Sequence, residues 1–154
     1  MSARIGISPS TALNFSMGTG VPNGAAVSVA PALAIPDNTP AGVTSTLNIV
    51  GSGGTVTSNF NVDLNITHTW RGDLRVTLRS PAGTSVILHN LTGSSADNIV
   101  GNYPLTLTPA QSLATLIGQP LDGIWSLIIS DNAGDDTGIL NSWGINDVTG
   151  YECD

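Results

Sequence analysis

Asp131, Asp135 and Asp136 fall within one short glycine-containing stretch, "SDNAGDDTG", residues 130–138. A bend carrying these side chains offers hard oxygen donors, and Ca²⁺ gathers about six to eight oxygens from carboxylates, amide side chains and backbone carbonyls. The stretch is not an EF-hand loop, because Ala133 occupies the third position and Asp136 the sixth, where that loop needs a ligand and a glycine. A solvated turn also favours Asp and Asn. Calcium and a plain polar turn are therefore both open on composition.

A second group lies in "HTWRGDLRVTLRSPAGT", residues 68–84. His68 could serve as a base oriented by Asp73, with a serine such as Ser126, Ser130 or Ser142 as nucleophile, but the GxSxG turn that often presents such a serine is missing. The simpler reading is a buried histidine held by one hydrogen bond, since it alternates with Ile66 and Trp70. Arg71-Gly72-Asp73 reads as a tight connection, with glycine for the turn, a solvated arginine and an aspartate bonding turn amides. His89 has no partner at metal-ligand spacing, and Cys153 has no second cysteine to pair with. Sequons at Asn14, Asn65 and Asn90 are unremarkable in a chain so rich in Asn and Thr.

The elements that must position these groups are strands. Val56, Phe60, Val62, Leu64, Ile66, His68 and Trp70 occupy even positions, while Asn59, Asn61, Asp63, Asn65 and Thr67 fill the odd ones. Side chains of a strand alternate between faces, so this is one or two half-buried strands, with Trp70 expected inside. "LRVTLRS" alternates in the same way and meets "SVILH" through a Pro-Gly turn, which makes a hairpin. "GIWSLIISD" and "GILNSWGINDV" add two more strands, the second with Ile139, Trp143 and Ile145 on one face. Leu91 to Asp122 is too broken for one element, with a short helical turn at "TPAQSLATLIG"; a connection so long crosses between sheets or carries function. Seven or eight strands result. The expected fold class is all-β, an antiparallel β-sandwich of jelly-roll type.

Charge narrows the partners. Eleven acids against four arginines give a net charge of −7, which repels phosphate backbones and anionic lipid. Neither nucleic acid nor a membrane surface is expected. Residues 1–33, rich in small residues, Pro, Gly and Asn, are expected to be a linker or lead-in, and residues 34–154 the domain. The opening "MSARIGISPS" lacks the apolar run of a secretory leader, so an exported parent would carry its leader elsewhere.

The blocks "AIPDNTPAGVTSTLNI", "NITHTWRGDLRVTLRSPAGTSVILHN", "SADNIVGNY" and "GQPLDGIWSLIISDNAGDDTGILNSWGI" resemble, in order and spacing, the P domain (homo B domain) of proprotein convertases and bacterial secreted proteases. The likeness runs from about Ala34 to Val148, and the tail "TGYECD" extends beyond it. It implies a jelly roll on the C-terminal side of a subtilisin-like serine protease or a metalloprotease catalytic domain in the same parent chain, itself non-catalytic, and secreted. It also strengthens calcium as a structural ion, with Asp131, Asp135 and Asp136 as ligands. Asp73 and Asp97 join them as further candidates if strand direction brings their loops to the same end. The expected function is stabilisation or maturation of the protease; the alternative is an independent module binding carbohydrate or matrix, which exposed tryptophans would favour. A hydrolase is the third reading.

Overall fold

The computed structural model describes residues 24–148. Met1 to Arg4, Asn14 and Cys153 lie outside the described residues, as does most of the stretch expected to lead in. The fold is all-β, 53% strand, with two antiparallel sheets packed as a sandwich. Nine strands follow in order: β1 (Gly24–Val29), β2 (Leu33–Ile35), β3 (Thr39–Ile49), β4 (Asn61–His68), β5 (Leu74–Arg79), β6 (Ser85–Asn90), β7 (Ile99–Tyr103), β8 (Gly123–Asp131) and β9 (Gly138–Val148). One sheet has the order β1-β9-β4-β7, with β2 also paired to β9; the other has the order β3-β8-β5-β6.

The expected hairpin is β5-β6, closed where Ser80 N–H donates to the Thr84 carbonyl at 2.9 Å. Leu74, Val76 and Leu78 point inward and are fully buried, opposite Leu127 and Ile129 of β8. Between the sheets they meet Val62, Leu64 and Ile66 of β4 together with Trp143 and Ile145 of β9. Each large side chain taken out of water contributes roughly 1.5–3 kcal/mol, so this two-sided core is what fixes the register of both sheets.

Gly24–Val29, inside the stretch read as linker or lead-in, is a strand paired with β9, whose free edge recruits small residues that carry no periodic signal of their own. Three local expectations need correction. β7 was hidden within Leu91–Asp122; it is short, and only Ile99 and Tyr103 of its five residues are buried. Trp70 is 43% exposed rather than inside, since β4 ends at His68 and the chain turns into a 3-10 segment, Arg71–Asp73. Ile139 is also outside, at 44% exposure, while Leu140 is fully buried. The register of β9 against β4 shifts between Asn65 and Ile66, leaving Asn141 as an extra residue. One inserted residue reverses the parity, so Leu140 points inward before it and Trp143 and Ile145 after it.

The site-bearing ends meet through this topology. β4 leaves its sheet at His68, the Arg71–Asp73 segment crosses to the other sheet, and Leu74 pairs with Asp131 at the end of β8. Gly138, starting β9, lies opposite His68. A Cβ there would come within 2.4 Å of the Thr67 carbonyl and 2.7 Å of the His68 ring, so only glycine lets β9 close over the histidine.

Candidate functional site

His68 and Asp131 form a fully buried pair, Nε2 to Oδ2 at 2.8 Å. The Trp70 backbone N–H donates to Nδ1 at 3.0 Å. A ring nitrogen that accepts carries no proton, so this network assigns the proton to Nε2, which donates it to the carboxylate. Both nitrogens are thereby engaged. The expected buried, hydrogen-bonded histidine is observed, and its carboxylate partner is Asp131 where the sequence suggested Asp73.

The other Asp131 oxygen accepts the Ala133 N–H at 3.2 Å, and Asn132 ties the loop down by donating its backbone N–H to the Asp73 carbonyl at 2.8 Å. Asp73 is consequently drawn against the 131–136 loop. Burial, and after it the charges of Asp131 and Asp136, hold the Asp73 carboxyl above its ordinary range; Asp37 adds to this and His68 opposes it. Asp136 accepts the Thr69 hydroxyl at 2.6 Å, and Asp135 donates its backbone N–H to the Asp37 carboxylate at 3.2 Å. Asp135 reaches that position with a φ of 85°, in the left-handed region that aspartate tolerates better than most residues.

The result is an acidic end with a shallow hollow of about 360 Å³, lined by Trp70, Asp73, Ala133, Gly134, Asp135 and Asp136. Asp73, Asp131, Asp135 and Asp136 are gathered here, and Asp37 joins them, a residue the sequence reading passed over. Its only signal was the turn "IPDNTP" preceding a strand. Asp97 is exposed in the loop before β7 and is not among the charges that act on Asp73. Among the described residues, no three His, Cys, Asp or Glu side chains converge as a group that could hold a metal ion. The donor chemistry is all-oxygen, as calcium prefers over softer metals. Asp131 already spends its two oxygens on His68 and Ala133, so the carboxylates that border the hollow are Asp73, Asp135 and Asp136.

The Arg71-Gly72-Asp73 tripeptide is a joint between loops. Arg71 N–H donates to the Ala96 carbonyl at 2.9 Å and Gly72 N–H to that of Ser94 at 3.0 Å. A Cβ on Gly72 would stand 2.9 Å from Ser94 backbone atoms. His89 also serves this joint, its Nε2–H donating to the Arg71 carbonyl at 2.8 Å. Burial pushes the His89 pKa below the ordinary histidine value, opposed by its bond to that carbonyl. The tryptophans divide as follows: Trp125 and Trp143 are buried, donating to the Leu121 carbonyl and the Ser45 hydroxyl at 2.9 Å each, while Trp70 stands beside the hollow.

Residues 57–146 match the family model described as the proprotein convertase P-domain. The leupeptin-inactivating enzyme 1 of Streptomyces exfoliatus is 39% identical over 128 residues, which span 83% of this chain and 27% of that protein. A transglutaminase-activating metalloprotease of Streptomyces mobaraensis is 33% identical over 112 residues, 72% of this chain and 13% of the relative. A calcium-dependent protease of Trichormus variabilis is 39% identical over 87 residues, 54% of this chain and 13% of the relative. The chain thus spans about a quarter or less of the length of these proteins. In structure, it resembles the serine protease of Aeromonas sobria solved with the chaperone ORF2, with a TM-score of 0.55 at 20% identity over 84% of this chain and 27% of that one. That likeness speaks for the fold.

Proposed function

Because the chain belongs to the proprotein convertase P-domain family, we propose that it is a non-catalytic accessory domain on the C-terminal side of an exported serine or metalloprotease, where it stabilises the catalytic domain or aids its maturation. The observation that carries this reading is that the Trichormus and Streptomyces mobaraensis relatives bear protease names while the matched region is a minor part of each. His68 supports a structural role, since its ring nitrogens serve Asp131 and the Trp70 backbone rather than a substrate. We read the two strand orders as a jelly roll, a reading the packing of two four-strand paths supports.

The same reading makes the acidic end a calcium site. Asp73, Asp135 and Asp136 would supply carboxylate oxygens around the hollow, Asp131 and Asp37 would hold the loop that carries them, and the ion would offset the crowding felt by Asp73. The name of the Trichormus relative points the same way. The carbohydrate-binding alternative is disfavoured by the burial of Trp125 and Trp143, which leaves Trp70 as the one exposed tryptophan among the described residues.

The test is made in the parent protease. Removing the domain should lower the yield or the thermal half-life of the mature enzyme, and the isolated chain should hydrolyse neither casein nor simple esters. Full yield and stability without the domain, or firm retention of the isolated chain on insoluble polysaccharide, would overturn the accessory reading.

A further inference from the structure

The two sheets have four edges, and their treatment differs. β6 is covered from outside: Ala110 and Gln111 donate backbone N–H groups to the Leu88 and Ile87 carbonyls at 2.9 and 2.8 Å, and the Gln111 side chain accepts the Ile87 N–H at 2.9 Å. β7 is partly capped where the Asn102 carbonyl accepts N–H groups from Thr106 and Leu107 at 2.9 and 2.8 Å. β3, at 11 residues one of the two longest strands, pairs with β8 on one side only. Among the described residues no backbone hydrogen bond reaches the other side of Val43–Ile49.

An open edge is ordinarily defended by charge, proline, a bulge or a cover. On β3 those defences stop early. Pro40 and the irregular register at Thr39–Val43 disturb its beginning, after which Val43 to Ile49 runs in unbroken register. This half carries no charge. Between Gly24 and Val62 the sole charged side chain is Asp37, in a chain whose net charge is −7. β1, the edge of the facing sheet on this flank, presents exposed Ala26 and Ser28. Val50, just beyond β3, is 77% exposed, and Ile124, next to Asn48 in register, is 58% exposed.

We propose that this flank binds a second copy of the chain, β3 pairing antiparallel with β3 of the partner across a two-fold axis at Thr46. This flank is self-complementary, as a two-fold interface demands of a single surface. With Thr46 on the axis, Thr44 meets Asn48, Ser45 meets Leu47 and Val43 meets Ile49, so outward polar residues face polar ones and inward residues stay with the core. No like charges meet, although both copies are strongly acidic. The two four-stranded sheets become one of eight. The seam is narrow against the roughly 1,200–2,000 Å² of stable complexes, so a dissociation constant on the order of 100 μM is expected.

Sedimentation equilibrium of the chain from 10 μM to 1 mM tests this independently of any protease. The expected result is a monomer–dimer equilibrium. Thr46→Lys places two ammonium groups against each other on the axis and should weaken association at least tenfold, with the near-ultraviolet spectrum unchanged because Thr46 is exposed. Thr44→Lys, facing Asn48, should weaken it less. In a Cys153→Ser background, Thr46→Cys should oxidise to a covalent dimer faster than Thr44→Cys, since paired Cβ atoms lie about 4.5–5.5 Å apart. A chain that stays monomeric at 1 mM, or a dimer indifferent to Thr46→Lys, overturns the proposal.

Discussion

Asp131 and Asp147 are both buried carboxylates, at opposite ends of the sandwich, and they are satisfied in different ways. Asp147, near the end of β9, accepts the backbone N–H and the hydroxyl of one residue, Thr57, and so staples the loop before β4 to the sheet. Asp131 accepts from His68 and the Ala133 N–H, but Asp73 and Asp136 lie close enough for their charges to bear on each other. Uncharged donors complete the first arrangement. The second gathers acids faster than it supplies donors, and that crowding is what the proposed cation would relieve.

The largest expected effects separate these ends by stability alone. Asp131→Ala strands a fully buried histidine N–H and the Ala133 N–H, and with hydrogen bonds to a charged group worth roughly 1.5–3 kcal/mol each it should cost about 3–5 kcal/mol. Asp147→Ala orphans two donors of Thr57 and should cost about 2–4 kcal/mol, as hydrogen bonds to charged groups are worth roughly 1.5–3 kcal/mol each. Urea midpoints at neutral pH in chelator measure both. A cost under ~1 kcal/mol for Asp131→Ala would mean that relief of repulsion outweighs the lost bond, and that the pair is not what closes this end.

Calcium sharpens the contrast next. Extracellular calcium modules bind at roughly 10⁻⁴–10⁻³ M, so ~10 mM Ca²⁺ stands near 100 times the dissociation constant of a tight member. Such occupancy stabilises the folded form by about 2.7 kcal/mol, a melting shift on the order of 5–10 °C. Asp135→Asn with Asp136→Asn should abolish the shift, and Asp147→Asn should leave it intact. Identical melting of the unaltered chain in calcium and in chelator would leave the acidic end a polar turn.

How much of this could be read beforehand follows from which forces act locally. The alternation of Val62, Leu64, Ile66, Leu74, Val76 and Leu78 reports burial directly, so the sandwich and its hairpin were legible. Trp70 and Ile139 broke the same rule because a strand end and a one-residue bulge are set by the neighbouring strand, not by the residues themselves. β1 was invisible for a related reason: Ala26 and Ser28 are strand only because β9 offers them an edge. At the acidic end, residue type marked the 131–136 loop and strand direction marked Asp73 as candidates, and the fold brings the two side by side. Asp37 was missed, for it approaches Asp135 across 98 residues of sequence. The His68–Asp131 bond was missed likewise, since pairing across sheets leaves no trace in spacing.

A pH dependence is expected from the joint beside the site. With its pKa lowered by burial, His89 is held neutral in the fold, so below about pH 6.5 the unfolded chain binds the proton more readily. That contribution to stability is present above the unfolded pKa and is lost as pH falls through the folded value. His89→Gln should flatten the slope of stability against pH in this window, whatever its cost at pH 7. An unchanged slope would show that protonated His89 is accommodated.

The smallest effect bears most directly on the crowded end. Asp73 has its pKa raised, so its charged form is the disfavoured one in the fold: the resulting contribution favours folding below the unfolded pKa and is lost as pH rises through the folded value. At neutral pH without a cation, Asp73 is therefore a burden. Asp73→Asn keeps the backbone carbonyl that accepts from Asn132 and removes the charge, and it should raise the melting temperature in chelator by about 1–2 °C, within the range of partly exposed substitutions. In ~10 mM Ca²⁺ the sign should reverse, because a ligand has then been lost. This crossing of two melting curves is a stricter test than loss of a calcium shift, since general damage lowers both. Were Asp73→Asn to destabilise equally in both buffers, the carboxylate would be a structural acceptor like Asp147, and the two ends of the sandwich would not differ in kind.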